Sequence, residues 1–319
     1  MESHKCRFGF AGRDESNKIL IVKYRIIILI ASLMWLSRTL PAQTADGAGE
    51  INTNTVNYLV QHGHFVPSRE IVYKTVDGHD LKLHIFDPDG FQTNDARPVF
   101  LVFHGGGWVG GNAKGFYPFA AHFAGLGLVG ISVDYRLLKR GSRMTPAVCV
   151  KDGRSAVRFV RSHATELGIN PDKIIVSGGS AGGHVAACIA CCQGIDEAGE
   201  DITVSPAPDA LVLYWPVLDI SLEGYGNRIG GEHWQDISPL QLVRPGLPPT
   251  LIFHGSADPL VPFRGAEAFH EAMLRTGNRC ELVIEPGAKH GYMMSNLHLF
   301  DGGMRRTDEF LKSIGDLPQ

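Results

Sequence analysis

The sequence predicts an α/β fold, a mostly parallel eight-stranded sheet with helices on both faces. Three observations carry that reading. Short continuous apolar runs, such as Pro-Val-Phe-Leu-Val-Phe-His at 98–104, have the composition of strands covered on both sides. Amphipathic stretches of helical length lie between these runs, and that alternation builds parallel sheets. With 44% hydrophobic and 20% charged residues in 319, the chain has the mix of an ordinary globular protein and enough length to bury a large core.

Taken in order, the first forty residues stand apart from the rest. Lys18, Lys23 and Arg25 precede the apolar run 26–36, and Leu40-Pro41-Ala42 follows with a small residue at its end. A basic segment, an apolar segment and a small-residue cleavage site together read as a secretory signal over 1–42, with an uncleaved membrane anchor as the alternative. The apolar run is shorter than the roughly 20 residues a spanning helix needs, so no stable membrane insertion is expected after cleavage. Residues 43–66 are polar and are expected to form a loose lead-in to the main domain, 67–319.

Residues 69–76 and 81–86 flank Asp77-Gly78-His79-Asp80, a glycine-containing turn, and read as an antiparallel hairpin. The runs 98–104, 128–135, 173–177, 210–216, 250–254 and 280–285 complete the set of strands. Helical patterns fall at 117–125, 146–167, 181–192, 264–275 and 297–314. One interruption between strands, 219–249, is rich in glycine, proline and polar residues; a segment that long without periodicity is expected to be a lid or pocket wall.

Several function classes lose support at once. A formal net charge of −3 with no block of like charge gives no footprint for nucleic acid. Beyond position 42 the cysteines are Cys149, Cys188, Cys191, Cys192 and Cys280. Three of them cluster on one helix with no further ligands at metal-binding spacing, so they are expected to pack as small buried residues. Their pairing stays open.

The chemistry concentrates in four places. Gly178-Gly179-Ser180-Ala181-Gly182 follows an apolar strand and opens a helix. Glycines around a serine at that junction let the chain make a sharp bend that exposes the hydroxyl at a helix N-terminus. A phosphate-binding turn would carry a Lys-Ser/Thr pair that is missing here. His104-Gly105-Gly106-Gly107-Trp108 follows the strand 98–103; such a loop can present bare amides to a developing oxyanion, and the expected donors are Gly106, Gly107 and Ala181. Of fourteen histidines, His290 follows the last strand, where a serine, acid, histidine chain order places the base. His184, one turn past the serine, competes with it, and His104 is expected to brace the glycine loop. Asp258, after the strand 250–253, is the expected acid, with Asp219 as second choice.

These motifs in this order resemble the α/β-hydrolase superfamily, and within it the hormone-sensitive-lipase-like and feruloyl/acetyl-esterase-like carboxylesterases. The resemblance runs from about Val72 to Leu311. It implies an α/β-hydrolase fold with a small lid insertion, a catalytic set of Ser180, Asp258 and His290, no metal, and no organic cofactor. Relatives of the lipase type commonly carry Asp where this chain has Gly179, and a larger N-terminal cap. Both departures point to the smaller esterases that deacylate sugars and plant polymers outside the cell. The implied partner is a small-molecule or carbohydrate ester, short-chain or feruloyl. Arg136 and Asp152 are expected to form a structural ion pair. Trp108, Tyr117, Trp215, Tyr225 and Trp234 are candidates to line the pocket. A prolyl-oligopeptidase-like peptidase, an amidase or formamidase, and a binding protein that kept the fold remain alternatives at this point.

Overall fold

The structure, a computed structural model, describes residues 55–139 and 141–317. The proposed signal at 1–42 and most of the proposed lead-in lie outside the described residues. The lead-in's last part is ordered: α1, Val56–Gln61, is capped by Thr55, whose side chain accepts from the Tyr58 N–H, and it buries Val56. This corrects the expectation of a loose segment through 66. One apolar residue on a capped turn is enough to dock it.

The sheet contains β1 (Arg69–Val76), β2 (His79–Phe86), β3 (Arg97–Phe103), β4 (Val129–Val133), β5 (Ile169–Gly179), β6 (Ala210–Tyr214), β7 (Thr250–Gly255) and β8 (Cys280–Glu285). Their order is β1-β2-β4-β3-β5-β6-β7-β8, with β1/β2 and β2/β4 antiparallel and every other pair parallel. The first hairpin is tighter than expected. Asp77 and Gly78 have φ of 51° and 76°, the twin left-handed residues of a two-residue turn, so His79 and Asp80 already belong to the strand.

Helices α2 (Tyr117–Gly125), α3 (Ala147–Ser162), α4 (Ala164–Leu167), α5 (Ala181–Cys191), α6 (Asn227–Gly230), α7 (Phe263–Arg275) and α8 (Leu297–Ile314) connect or follow the strands. The stretch expected as one helix over 146–167 is two, α3 and α4, separated at His163. Along β3, Val99, Leu101 and Phe103 join the core under α3, α5 and α7, whereas Phe100 and Val102 join the core under α2 and α8. That period of two, apolar on both sides, is why the strand reads as an unbroken apolar run. All five described cysteines are buried free thiols within these cores or at their edge. Among the described residues no helix is long and apolar enough to cross a membrane.

The expected ion pair forms bidentately: Arg136 Nε and Nη2 lie 2.8 Å from the two Asp152 oxygens. Lys74 and Glu197 extend it, with Lys74 Nζ 2.7 Å from Asp152 and 2.8 Å from Glu197. The fully buried Asp152 carboxylate is thereby compensated on both sides. The segment 219–249 is a chain of short turns, α6 and two 3-10 turns at Trp234–Ile237 and Pro239–Leu242.

Candidate active site

Ser180 sits between β5 and α5 with φ 55° and ψ −120°, a conformation that L residues rarely adopt. The bend is held from three sides. The Ser180 N–H donates to Tyr214 O at 3.0 Å, while its carbonyl accepts from His184 at 3.0 Å and Val217 at 3.2 Å. The neighbouring glycines are needed for space. A Cβ on Gly178 would lie 2.3 Å from Gly182 O, and one on Gly182 2.1 Å from Phe103 O.

His290, in the turn after β8, reaches both partners. Its Nδ1 lies 2.7 Å from Asp258 Oδ2 and its Nε2 2.9 Å from Ser180 Oγ. A carboxylate only accepts, so Nδ1–H donates and Nε2 is left to accept the serine proton. Asp258 follows β7, and its side chain is fully buried. Burial opposes its charge. Hydrogen bonds from His254 and His290, and from the Val261 and Leu260 amides, outweigh that and hold the carboxyl well below the usual carboxylate range. The amides sit 3.0 and 2.9 Å from Oδ1. The structure therefore brings Ser180, His290 and Asp258 together, at the carboxyl ends of β5, β7 and β8.

The glycine loop lies against this bend. A Cβ on Gly105 would be 3.2 Å from Ser180 Cβ and from Gly179 O. The N–H groups of Gly106, Gly107 and Ala181 meet no acceptor among the described residues. His104 does brace the loop: its Nδ1 is 2.8 Å from Gly105 O, its ring stacks on Tyr135, and its carbonyl accepts from the Tyr135 hydroxyl at 2.7 Å.

The competitors are placed elsewhere. His184 is fully buried, with Nδ1 accepting from Trp108 Nε1 at 3.2 Å and Nε2 donating to Ile237 O at 2.7 Å. Burial pushes it down to about 4, so it is a neutral strut between the glycine loop and the 219–249 segment. Asp219 closes its own turn by accepting from the Ser221 N–H and hydroxyl. Of the five aromatic candidates, Trp108 is buried in the core, Tyr117 is buried against His84, and Trp234 packs on the core edge. Two stay near the reacting groups. The Tyr225 hydroxyl lies 3.4 Å from where a Gly107 Cβ would be, and the Trp215 ring centroid is 6.5 Å from that of His290.

Gly179, the position that departs from the lipase type, has a physical reason. A Cβ there would lie 2.5 Å from the Phe116 ring and 3.3 Å from Trp215 Nε1, so the two aromatics fill the space beside it. Phe116 and His254 were missed by sequence reasoning. Phe116 belongs to no motif with local spacing, whereas His254 stands four positions before Asp258, a spacing that could have pointed to it.

Comparison with known proteins agrees with this geometry. The family model described as BD-FAE matches residues 83–211. The apo form of esterase 2 from Thermogutta terrifontis superposes with a TM-score of 0.75 at 42% identity, covering 79% of this chain and 96% of that one. Carboxylesterase NlhH from Mycobacterium tuberculosis is 30% identical over 274 residues, 78% of this chain and 83% of the relative. This chain is a carboxylesterase-family α/β-hydrolase. Family members among the matches include the propionate-bound Thermogutta esterase, with a TM-score of 0.73 at 43% identity, covering 79% of this chain and 96% of that one. They also include a probable isoprenylcysteine alpha-carbonyl methylesterase of Arabidopsis thaliana, 27% identical over 77% of this chain and 54% of the relative. The chain spans about half the length of the first curated relatives it matches.

Proposed function

We propose that this chain hydrolyses carboxylic esters of short acyl chains through an acyl-enzyme on Ser180. His290 Nε2 takes the hydroxyl proton as Oγ bonds to the ester carbonyl carbon, and the carbonyl oxygen becomes an oxyanion received by the Gly106, Gly107 and Ala181 amides. The C–O bond to the alcohol then breaks, and His290 returns the proton to the leaving oxygen. Water attacks the acyl group with the roles reversed. Asp258 orients the imidazole and balances the imidazolium without taking its proton.

The observation that carries this reading is the single line of contacts Ser180 Oγ, His290 Nε2, His290 Nδ1 and Asp258 Oδ2, at 2.9 and 2.7 Å. Support for short acyl groups comes from the Phe116 and Trp215 rings, which fill the space beside Gly179, the residue before the serine. It comes also from the Thermogutta relative, solved with propionate and with butyrate. The acyl donor could equally be esterified to a carbohydrate or to a small alcohol. The 219–249 segment, which reaches the glycine loop through Tyr225, is proposed as the pocket wall. The stretch 1–42 supports export of the chain.

A series of chromogenic esters tests the proposal. Acetate to butyrate should be hydrolysed fastest, with a steep fall beyond, and Ser180→Ala should lower kcat by about 10⁶-fold. Comparable turnover by Ser180→Ala would remove the enzyme assignment. A preference for long-chain esters would remove the short-acyl reading alone.

A further inference from the structure

We propose that His254 is a positioning residue for this reaction: its Nε2–H, aimed into the acid loop, holds the Asp258 carboxylate where it serves His290. The inference rests on the reading of Ser180, Asp258 and His290 given above. It adds a fourth side chain that never touches substrate.

His254 is fully buried next to the last residue of β7. Its Nε2 lies 3.2 Å from Val261 O and 3.4 Å from Asp258 Oδ2. Both neighbours accept only, so Nε2 carries the proton. Nδ1 is buried without a partner among the described residues. A bare lone pair stranded there costs less than a stranded N–H would, which selects the same tautomer. The ring stands edge-on to Phe263 with centroids 5.7 Å apart, so it is clamped between the acid loop and the start of α7. A core position spent on a half-satisfied imidazole calls for a reason other than packing, since an apolar ring of this size would fill it without stranding a polar atom.

The reason lies in the distribution of donors on Asp258. Oδ1 receives two backbone amides, Leu260 and Val261, which no side-chain change removes. Oδ2 faces two imidazoles, His290 at 2.7 Å and His254 at 3.4 Å. The His254 Nε2–H donates to the carbonyl of Val261, whose own amide serves Oδ1, and lies at the longer 3.4 Å from Oδ2, so it braces both the loop and the carboxylate and can be deleted without altering the backbone or the triad. The charged group facing it is Asp258. From the packed elements, β8 sets Ile284 opposite it and Glu285 opposite Gly255, β6 pairs Tyr214 with the preceding Phe253, and α7 brings Phe263, then the exposed Arg264.

Without this brace the carboxylate gains freedom to rotate away from His290, which lowers kcat.

The test compares His254→Phe, which keeps a ring and drops the donor, with His254→Gln, which returns an N–H near the Nε2 position. His254→Phe should lose kcat by about 10–100-fold with KM within about 3-fold, the usual scale for an outer partner of a reacting group. His254→Gln should recover most of the lost kcat. Should His254→Phe fold poorly, His254→Leu replaces it and the downfield His290 Nδ1–H proton is read by NMR: a resonance displaced in His254→Leu and restored in His254→Gln supports the role, and one unmoved in His254→Leu overturns it. An unchanged kcat in His254→Phe, or a His254→Gln no better than it, would overturn the inference. Ser180→Ala in the same assay separates the two levels: activity surviving there undoes the triad reading itself.

Discussion

At the carboxyl ends of the parallel strands, three non-glycine residues stand in left-handed conformations: Trp108, Ser180 and Trp215, with φ of 64°, 55° and 37°. The glycine-loop amides nearby have no acceptor among the described residues. The amino ends of the same strands are built the opposite way. At the start of β3 the Arg97 N–H donates to Gly168 O at 2.9 Å, and its guanidinium reaches Asp95 at 2.7 Å and Gly127 O at 3.1 Å. Asp209 accepts from the Ile174 N–H at 2.8 Å, and Lys173 Nζ donates to Gly315 O at 2.7 Å. One end spends its polar groups on itself, and the other holds them open under backbone strain. Strain of about 1–3 kcal/mol per residue persists only where the surroundings overdetermine it; three such residues gather around one serine, against Ala96, with φ of 50°, before β3. The same sheet therefore keeps stability and chemistry at opposite edges, and substitutions at the two edges should separate the two properties.

The largest contrast is expected from Asp258→Asn. The side chain keeps its shape and burial, but an amide can present its N–H to His290 and force the wrong tautomer. kcat should fall by about 10⁴-fold while the melting temperature moves little. Equal losses of activity and stability would show that the acid loop belongs to the structural edge after all.

Gly106→Ala comes next. Its φ is 128°, and a Cβ would lie 2.1 Å from Gly110 O, backbone that cannot swing aside, so the loop must shift and misplace a donor. A fall of about 10²–10³-fold in kcat, with KM for a short ester nearly constant, is the effect of losing one oxyanion contact. A change in KM alone would mean that the loop binds substrate and does not meet the developing charge.

The two edges were not equally legible in the sequence. The strands could be read because an apolar run covered on both faces leaves an unmistakable local pattern, and Ser180 because its glycines form a compact motif between a strand and a helix. His290 was found by position after the last strand. What stayed hidden depends on distant partners. Trp108 meets His184 across 76 positions, which turned a pocket candidate into a core strut. Phe116 fills the space beside Gly179. His254 is the exception, only four positions before Asp258; what the sequence does not show is that its ring turns inward to Val261 O. The break at His163, the tight turn at Asp77 and the docked α1 were missed for a simpler reason. Each depends on one or two residues, too few to disturb a periodic pattern.

Arg97→Ala is the smallest and the most direct test of the division. The residue makes a half-buried ion pair with Asp95 and donates to the Gly127 carbonyl, so its removal takes away a charge-assisted contact and leaves that carbonyl to water. Losses of this kind, screened by solvent, lower the melting temperature by no more than about 2–4 °C for a domain of this size. Because Trp108, Ser180 and Trp215 all lie at the far end of β3 and its neighbours, kcat/KM on a short ester should stay within about twofold of the parent, well inside the scatter of surface substitutions. A drop in kcat as large as that of Gly106→Ala, with the fold intact, would mean that the strands transmit the state of their amino ends to the serine, and the separation of the two edges would fail.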